Sequence, residues 1–114
     1  MIELVEDKRE IDKIIYEEIK GKRIVFSSYY ERISFMRRGI TEEMVLEVLP
    51  QFNKVIKIIK QKLKFGDIGY ELFYGLSNNL TFSIATIPTK EKVEIIHAIE
   101  YKRKLDYKFK RFKQ

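Results

Sequence analysis

The chain of 114 residues contains no cysteine, no tryptophan and a single histidine, His97. The absence of cysteine excludes a disulfide framework, a thiolate nucleophile and any zinc site built from cysteine. With only one histidine, most other zinc sites and serine triads are also disfavoured. The sequence has no glycine-rich phosphate loop, no HExxH helix, no EF-hand loop and no GxSxG elbow. We therefore expect a protein without a bound metal or other cofactor.

Long hydrophobic runs are also missing. The longest uncharged stretch, residues 72–89, has 18 residues and is interrupted by glycine, asparagine and proline, whereas a membrane helix needs about 20 mainly apolar residues. The N-terminal residues lack the basic start and apolar run of a secretory signal. We therefore expect a cytoplasmic protein with no membrane partner. The high isoleucine and lysine content without cysteine is typical of thermophiles.

The net charge of +6 is concentrated in two segments. Residues 49–66 hold five lysines and no acid, and residues 101–114 hold seven basic side chains against Asp106. The remaining segments are nearly neutral. A localised positive charge favours a polyanion or an acidic partner, although such a run can also be a solvated face.

The hydrophobic spacing predicts one α+β domain over residues 1–114. An amphipathic helix is predicted over 4–20, within an added N-terminal segment 1–22, and a short strand over 24–26. A capping box that begins at Ser28 and an N-cap at Thr41 predict two short helices separated by Gly39. Residues 52–65 fit a helix or a strand, and their β-branched content favours the strand.

The second half of the chain predicts an antiparallel meander. Its strands are expected at 70–76, 80–87 and 93–99, with the first two joined by a hairpin at 77–79. A basic amphipathic helix is predicted over 100–113 because Tyr101, Leu105, Phe109 and Phe112 recur at helical spacing. The result is an antiparallel sheet of about four strands, with N-terminal helices packed on one face. The other face is solvated, binds a ligand or is covered by the terminal helices.

The remaining polar residues suit metal-independent cleavage of RNA. In that reaction the ribose 2′-hydroxyl attacks the neighbouring phosphate, which requires a base, an acid and cations. The candidate catalytic residues are His97, Tyr30 and Tyr74, and the candidate nucleic-acid-binding residues are Arg37, Arg38, Lys102, Arg103, Lys110 and Arg111. Each also has a structural interpretation. Strict alternation places His97 on an apolar strand face with Val93, Ile95 and Ile99, and the tyrosines suit packing.

Two stretches resemble a known family. Residues 30–45, YERISFMRRGITEEMV, resemble the pattern HAxxRxxxRGIxxxxV of small domains allied to the BrnT and RelE-like toxins. Residues 93–104, VEIIHAIEYKRK, are similar to that family's strand RIISAR and the basic helix after it. Arg38, Gly39, Ile40 and Ala98 match the pattern. The family's polar residues fall on Tyr30, Ser34, His97 and Ile99.

This resemblance implies an α+β toxin fold over residues 23–107 and a ribonuclease activity that arrests translation. The partners it implies are RNA or the ribosome and an acidic antitoxin-like protein. Because Tyr30, Ser34 and Ile99 replace polar residues of the family, a second interpretation is a catalytically inactive member that binds nucleic acid or protein. A third is a structural subunit or homo-oligomer.

Overall fold

The computed structural model describes residues 1–102. This part of the chain forms six strands and three short helices, which confirms the α+β class. In chain order the elements are β1 (Ile2–Val5), α1 (Lys8–Ile14, continued by a π-helical turn over Ile15–Ile19), β2 (Arg23–Phe26), α2 (Ser28–Tyr30, continued by a π-helical turn over Glu31–Phe35), α3 (Glu42–Val48), a 3₁₀ turn (Phe52–Lys54), β3 (Val55–Lys62), β4 (Ile68–Ser77), β5 (Leu80–Pro88) and β6 (Lys92–Tyr101).

All six strands belong to one sheet, in the order β1-β3-β4-β5-β6-β2. Neighbouring strands are antiparallel except for β2 and β6, which are parallel. The prediction of four antiparallel strands is therefore correct for the central meander and wrong for the whole sheet. The two four-residue edge strands, β1 and β2, extend it on either side. Strands this short carry little alternation, so the pattern does not reveal how they pair.

The N-terminal segment contains a strand as well as the predicted helix. Residues 2–5 pair with β3, and the helix begins only after Asp7, whose side chain accepts a hydrogen bond from Arg9 N at 3.2 Å. Leu4, which fits the helical spacing, thus belongs to β1. The carboxylate N-cap marks where the helix begins better than the apolar spacing does.

The caps of the next two helices are close to the predicted ones. The hydroxyl of Ser27, not of Ser28, accepts a hydrogen bond from Tyr30 N at 3.0 Å, so α2 begins one residue earlier than the capping box predicts. The N-cap at Thr41 is confirmed, since its hydroxyl accepts from Met44 N at 3.1 Å. Gly39 has a φ of 69° and takes the left-handed conformation expected of it.

The strand expected within residues 52–65 is confirmed as β3, and the hairpin and meander predicted after it are confirmed as β4, β5 and β6. A cross-strand row on one face of the sheet is buried to 3% exposure or less and packs with the helices in the main core. Its members, from β1 to β6, are Val5, Ile58, Leu72, Ile84 and Ala98. The next row along the strands must face the opposite way, because side chains alternate along a strand. We call that opposite side the open face.

The predicted C-terminal helix over 100–113 begins too early. Glu100 and Tyr101 belong to β6, where they pair with Phe82 and Thr81 of β5. The remainder of the predicted helix lies outside the described residues.

Candidate functional site

His97 lies on the open face because β6 contains a bulge. Ala85 pairs with His97, whereas the next residue of β5, Thr86, pairs with Ile95, so Ile96 is an extra residue in β6. A bulge of this kind changes which face the following residues occupy. Val93 and Ile95 are therefore fully buried in the main core, on the face of the sheet that packs against the helices. His97 lies on the opposite face of the sheet. The predicted apolar face that joins His97 to Val93 and Ile95 is wrong.

The bulge places His97 in one cross-strand row with a carboxylate. Glu71 of β4 pairs with Ala85 of β5, and Ala85 pairs with His97 of β6. The two ionisable residues are thus separated by one strand, with about 10 Å between their backbones. Both line a cavity of about 140 Å³ whose other side chains include Ile59 and Leu63. A carboxylate and an imidazole that share a small, mainly apolar cavity can act as a base and an acid on one bound molecule.

Glu71 is the site residue that the sequence prediction missed. It is the only charged residue between positions 68 and 89. A lone carboxylate in an otherwise uncharged hairpin is a signal that the sequence contains. Its proximity to His97 depends on the register of three strands, which the sequence pattern does not specify.

Tyr30 is part of the core. Its side chain is 1% exposed, its hydroxyl donates a hydrogen bond to the carbonyl of Ile40 at 2.8 Å, and its ring lies 4.8 Å from that of Phe26. Burial, together with the negative charge of Glu42, raises the pKa of Tyr30 from 10.0 to about 12. The hydroxyl holds the loop after α2 against the core and is closed to a substrate.

Tyr74 has the same type of environment. It is fully buried, and its hydroxyl donates to the carbonyl of Leu49 at 2.8 Å. Burial raises its pKa above the ordinary value of 10.0. The structure thus gives both tyrosines a packing role, and neither presents a hydroxyl that could carry out the catalytic role suggested by the sequence. Of the three catalytic candidates, His97 is the one that is not counted among the buried residues, and it lines the cavity with Glu71.

Arg38 and Ser34 both form hydrogen bonds to the backbone of β6. The hydroxyl of Ser34 donates to the carbonyl of Ala98 at 3.2 Å and accepts from the amide of Ala98 at 2.8 Å. Arg38 Nη1 donates to the same carbonyl at 3.0 Å. These bonds attach the turn after α2 to the edge of β6 beyond the end of β2. Part of the guanidinium of Arg38 is therefore used in holding the fold together.

The other basic candidates lie apart from this contact. Arg37 is exposed next to Arg38, and Lys102 is exposed directly after β6. Arg103, Lys110 and Arg111 lie outside the described residues. The structure therefore locates three of the six predicted nucleic-acid-binding residues, and all three are exposed.

The lysine-rich segment is divided between the two faces of the sheet. Lys57 pairs with Phe73 on the open face, and its ammonium lies 2.6 Å from the carboxylate of Glu6. Lys60 pairs with Tyr70 on the other face. The strand conformation thus places Lys57 and Lys60 on opposite faces although they are close in the sequence.

A second concave region lies between α2 and α3. Phe35 and Leu46, each about half exposed, line it together with Glu31, Glu42 and Glu43. The charge of this groove is opposite to the one that a phosphate or an acidic antitoxin needs. An acidic partner would have to bind elsewhere on the molecule.

In the part of the chain that the structure describes, no group of three or more acidic or histidine side chains is arranged to hold a metal ion. None of the helices formed by residues 1–102 is long and apolar enough to cross a membrane. Comparison of the chain with protein-family models, curated proteins and solved structures finds no match.

Proposed function

We propose that this protein is a metal-independent endoribonuclease of the BrnT/RelE-like toxin type and that Glu71 and His97 form its acid–base pair. The observation that carries the proposal is that these two side chains line one cavity on the open face of the sheet. The resemblance of residues 30–45 and 93–104 to that toxin family adds support for RNA as the substrate.

The reaction follows from the two groups. The carboxylate of Glu71 removes the proton from the ribose 2′-hydroxyl, whose oxygen then forms a bond to the neighbouring phosphorus. The bond from phosphorus to the 5′-oxygen breaks, and the imidazolium of His97 gives its proton to that oxygen. The products are a 2′,3′-cyclic phosphate and a 5′-hydroxyl. Because Glu71 and His97 lie on strands separated by β5, a phosphate has room between the base and the acid.

The negative charge that develops on the phosphate requires a cation nearby. Lys102 follows β6 five residues after His97 and is exposed. The next twelve residues, 103–114, add six basic side chains against one acid, while residues 1–102 hold 17 basic and 16 acidic residues. The phosphate contacts in this proposal therefore come from Lys102 and the segment after it.

The test uses a labelled RNA and the full-length protein in buffer with a chelator. Wild-type protein is expected to cut the RNA and to leave 2′,3′-cyclic phosphate ends. A 2′-deoxy substitution at the cleaved nucleotide should abolish the cut, because it removes the nucleophile. His97→Gln should lower the rate by about 100-fold or more, which is the usual contribution of a general acid. Intact RNA at high protein concentration, or full activity of His97→Gln, would overturn the proposal.

A second candidate function is binding without catalysis. Two observations favour it: the hydroxyls of Tyr30 and Tyr74 are buried, and Arg38 is hydrogen-bonded to Ala98. In this case the basic C-terminal residues hold RNA, or an acidic protein, without cutting. RNA affinity measured across salt concentrations tests it, since each phosphate contact steepens the loss of affinity with salt. Retained binding by a His97→Gln protein, with no cleavage by the wild type, would support the binding module. No binding to RNA at low salt would leave a protein partner as the target.

A further inference from the structure

We propose that the turn between β3 and β4 of one molecule docks its Phe65 into the groove between α2 and α3 of a second copy of this chain. We call this turn, residues 62–67, the basic tip, and the groove the acidic groove. The side chains that line the acidic groove include Phe35, Leu46, Glu31, Glu42 and Glu43. The contact forms between proteins and does not depend on whether the protein cuts RNA.

The basic tip holds Phe65 out in solvent. Gly66 N donates to the carbonyl of Leu63 at 3.0 Å, and Leu63 N donates to the carbonyl of Asp67 at 2.7 Å. Lys64 and Phe65 are thus the two central residues of a tight turn, and Phe65 is 88% exposed. Turns usually consist of glycine, proline, asparagine, aspartate and serine, so a phenylalanine here is unusual. Its ring is available to another molecule.

The basic tip also carries positive charge. Lys62 and Lys64 are both exposed, and they stand against one acid, Asp67. The ammonium of Lys64 lies 5.7 Å from the centre of the Phe65 ring, which is within the range of a cation–π contact. The tip therefore presents an aromatic ring and lysine charges side by side, and it suits a partner surface that is apolar and acidic.

The acidic groove is a surface of that kind. Phe35 and Leu46 are each about half exposed, so apolar area remains for a partner to cover. Among the described residues that line the groove, Glu31, Glu42 and Glu43 carry negative charge and none carries positive charge. The groove has a volume of about 460 Å³, about three times the roughly 150 Å³ that holds a benzene ring in a protein interior. A phenyl ring and the stem of a neighbouring lysine therefore fit.

The tip and the groove do not meet within one molecule. The high exposure of Phe65 and the partial exposure of Phe35 and Leu46 show that the groove of a chain does not hold its own tip. In a second copy the ring can cover the apolar residues while the lysines face the glutamates, and such complementary charges fix the partner and its orientation. Because the two surfaces differ, the contact is heterologous, and copies add head to tail until a ring closes.

The contact is small, since it joins one turn to one groove. Interfaces below about 1,200 Å² belong to the weak and transient class. We therefore expect a monomer in dilute solution and larger assemblies as the concentration rises. The lysine and glutamate side chains at the contact are exposed, so added salt should screen their attraction and weaken the assembly.

Sedimentation equilibrium of the full-length protein up to about 1 mM tests the contact in the range where weak complexes are populated. The average mass should rise with concentration, and it should rise less at high salt. Phe65→Asp should weaken self-association by about 30-fold or more, as the loss of a central aromatic anchor does. Tyr16→Asp is the matched control, because Tyr16 is also a strongly exposed aromatic residue but lies outside the tip and the groove.

The groove is tested by a second pair of variants. Glu43→Lys places a positive charge where the lysines of the tip should bind, and like charges across an interface repel. It should weaken self-association by about tenfold or more. Glu47→Lys is its control, since Glu47 is exposed on the same helix but does not line the groove. The two variants have the same net charge, so a difference between them reports the position of the charge.

Mixing Phe65→Asp with Glu43→Lys gives the sharpest test. Each variant alone lacks one surface, but the intact tip of Glu43→Lys can enter the intact groove of Phe65→Asp, so the mixture should form a 1:1 complex. Circular dichroism shows that each variant remains folded. Unchanged self-association in both variants, or a mixture that stays monomeric, would overturn the proposal. A wild-type protein that is monomeric at about 1 mM would also overturn it and leave the groove to a basic segment of a different protein.

Discussion

The hydroxyl of Ser34 makes both backbone hydrogen bonds that a neighbouring strand would otherwise make to Ala98. It accepts from the amide at 2.8 Å and donates to the carbonyl at 3.2 Å. The parallel partner of β6, β2, ends opposite Ile95, so no strand formed by residues 1–102 lies beside this edge of β6 at Ala98. Ser34 and Ala98 are both completely buried. The side chain of Ser34, in the π-helical turn Glu31–Phe35, therefore makes the hydrogen bonds that a neighbouring strand would make to this part of β6.

Ser34→Ala should lower the stability of the protein markedly. The substitution leaves a buried amide without its partner, and such an unsatisfied group costs about 1–3 kcal/mol. Denaturant unfolding monitored by circular dichroism measures this loss. Ser28→Ala is the control, because Ser28 is exposed and should tolerate the change within about 0.5 kcal/mol. Equal stability of the two variants would show that the bonds to Ala98 contribute little.

Ser27→Ala tests the position of the helix cap. The structure places the N-cap at Ser27, whose hydroxyl accepts from Tyr30 N, whereas the sequence pattern favours Ser28. Loss of an N-cap hydroxyl costs about 1 kcal/mol. Ser27→Ala should therefore be less stable than Ser28→Ala in the same unfolding measurement. The reverse order would support the capping box.

Tyr30→Phe should reduce stability and leave RNA cleavage unchanged under conditions where the protein is folded. Its hydroxyl is buried on the carbonyl of Ile40, and removing such a bond costs about 1 kcal/mol. A catalytic proton donor would instead lose about 100-fold in rate. Measuring both unfolding and cleavage for this variant separates the two roles, with a large rate loss in a fully folded protein counting against the packing role.

The raised pKa of Tyr30 also predicts a loss of stability at alkaline pH. Because the folded state holds the proton more tightly, the stabilisation is complete below the ordinary pKa of 10.0 and is lost as the pH rises through about 12. Unfolding free energies measured over this interval should fall less steeply for Tyr30→Phe than for wild type. Tyr16→Phe, at a side chain that is 75% exposed, is the control and should follow the wild type.

The local signals in the sequence predict much of this fold. Thr41 and Gly39 mark the start and the end of helices because their preferences act on their own backbone. The apolar content of residues 70–76, the turn residues 77–79 and the alternation along residues 80–87 predict the hairpin for the same reason. The pairing of strands is not a local property. β1 and β2 join the sheet through contacts with strands that are distant in the sequence, and the hydrophobic pattern of four residues is too short to predict which strand each one pairs with.

The candidate site depends on such distant relationships. His97 could be singled out from the sequence as the only histidine. The sequence could not show on which face of the sheet His97 lies. That face depends on the bulge at Ile96, which only the pairing of Ala85 with His97 and of Thr86 with Ile95 reveals. A tyrosine can be a catalytic residue or a packing residue, and the sequence does not distinguish these roles for Tyr30 and Tyr74. Their hydrogen bonds to the carbonyls of Ile40 and Leu49 favour packing.

The most direct test of the proposed ribonuclease is the rate at which Glu71→Gln cuts RNA relative to wild type. Glu71 is the residue that the structure adds to His97, and glutamine keeps its size while removing the base. The proposal predicts a loss of about 100-fold or more, with unchanged unfolding behaviour. Glu47→Gln, at an exposed position of α3, should keep the wild-type rate. Wild-type cleavage by a folded Glu71→Gln protein would contradict the account.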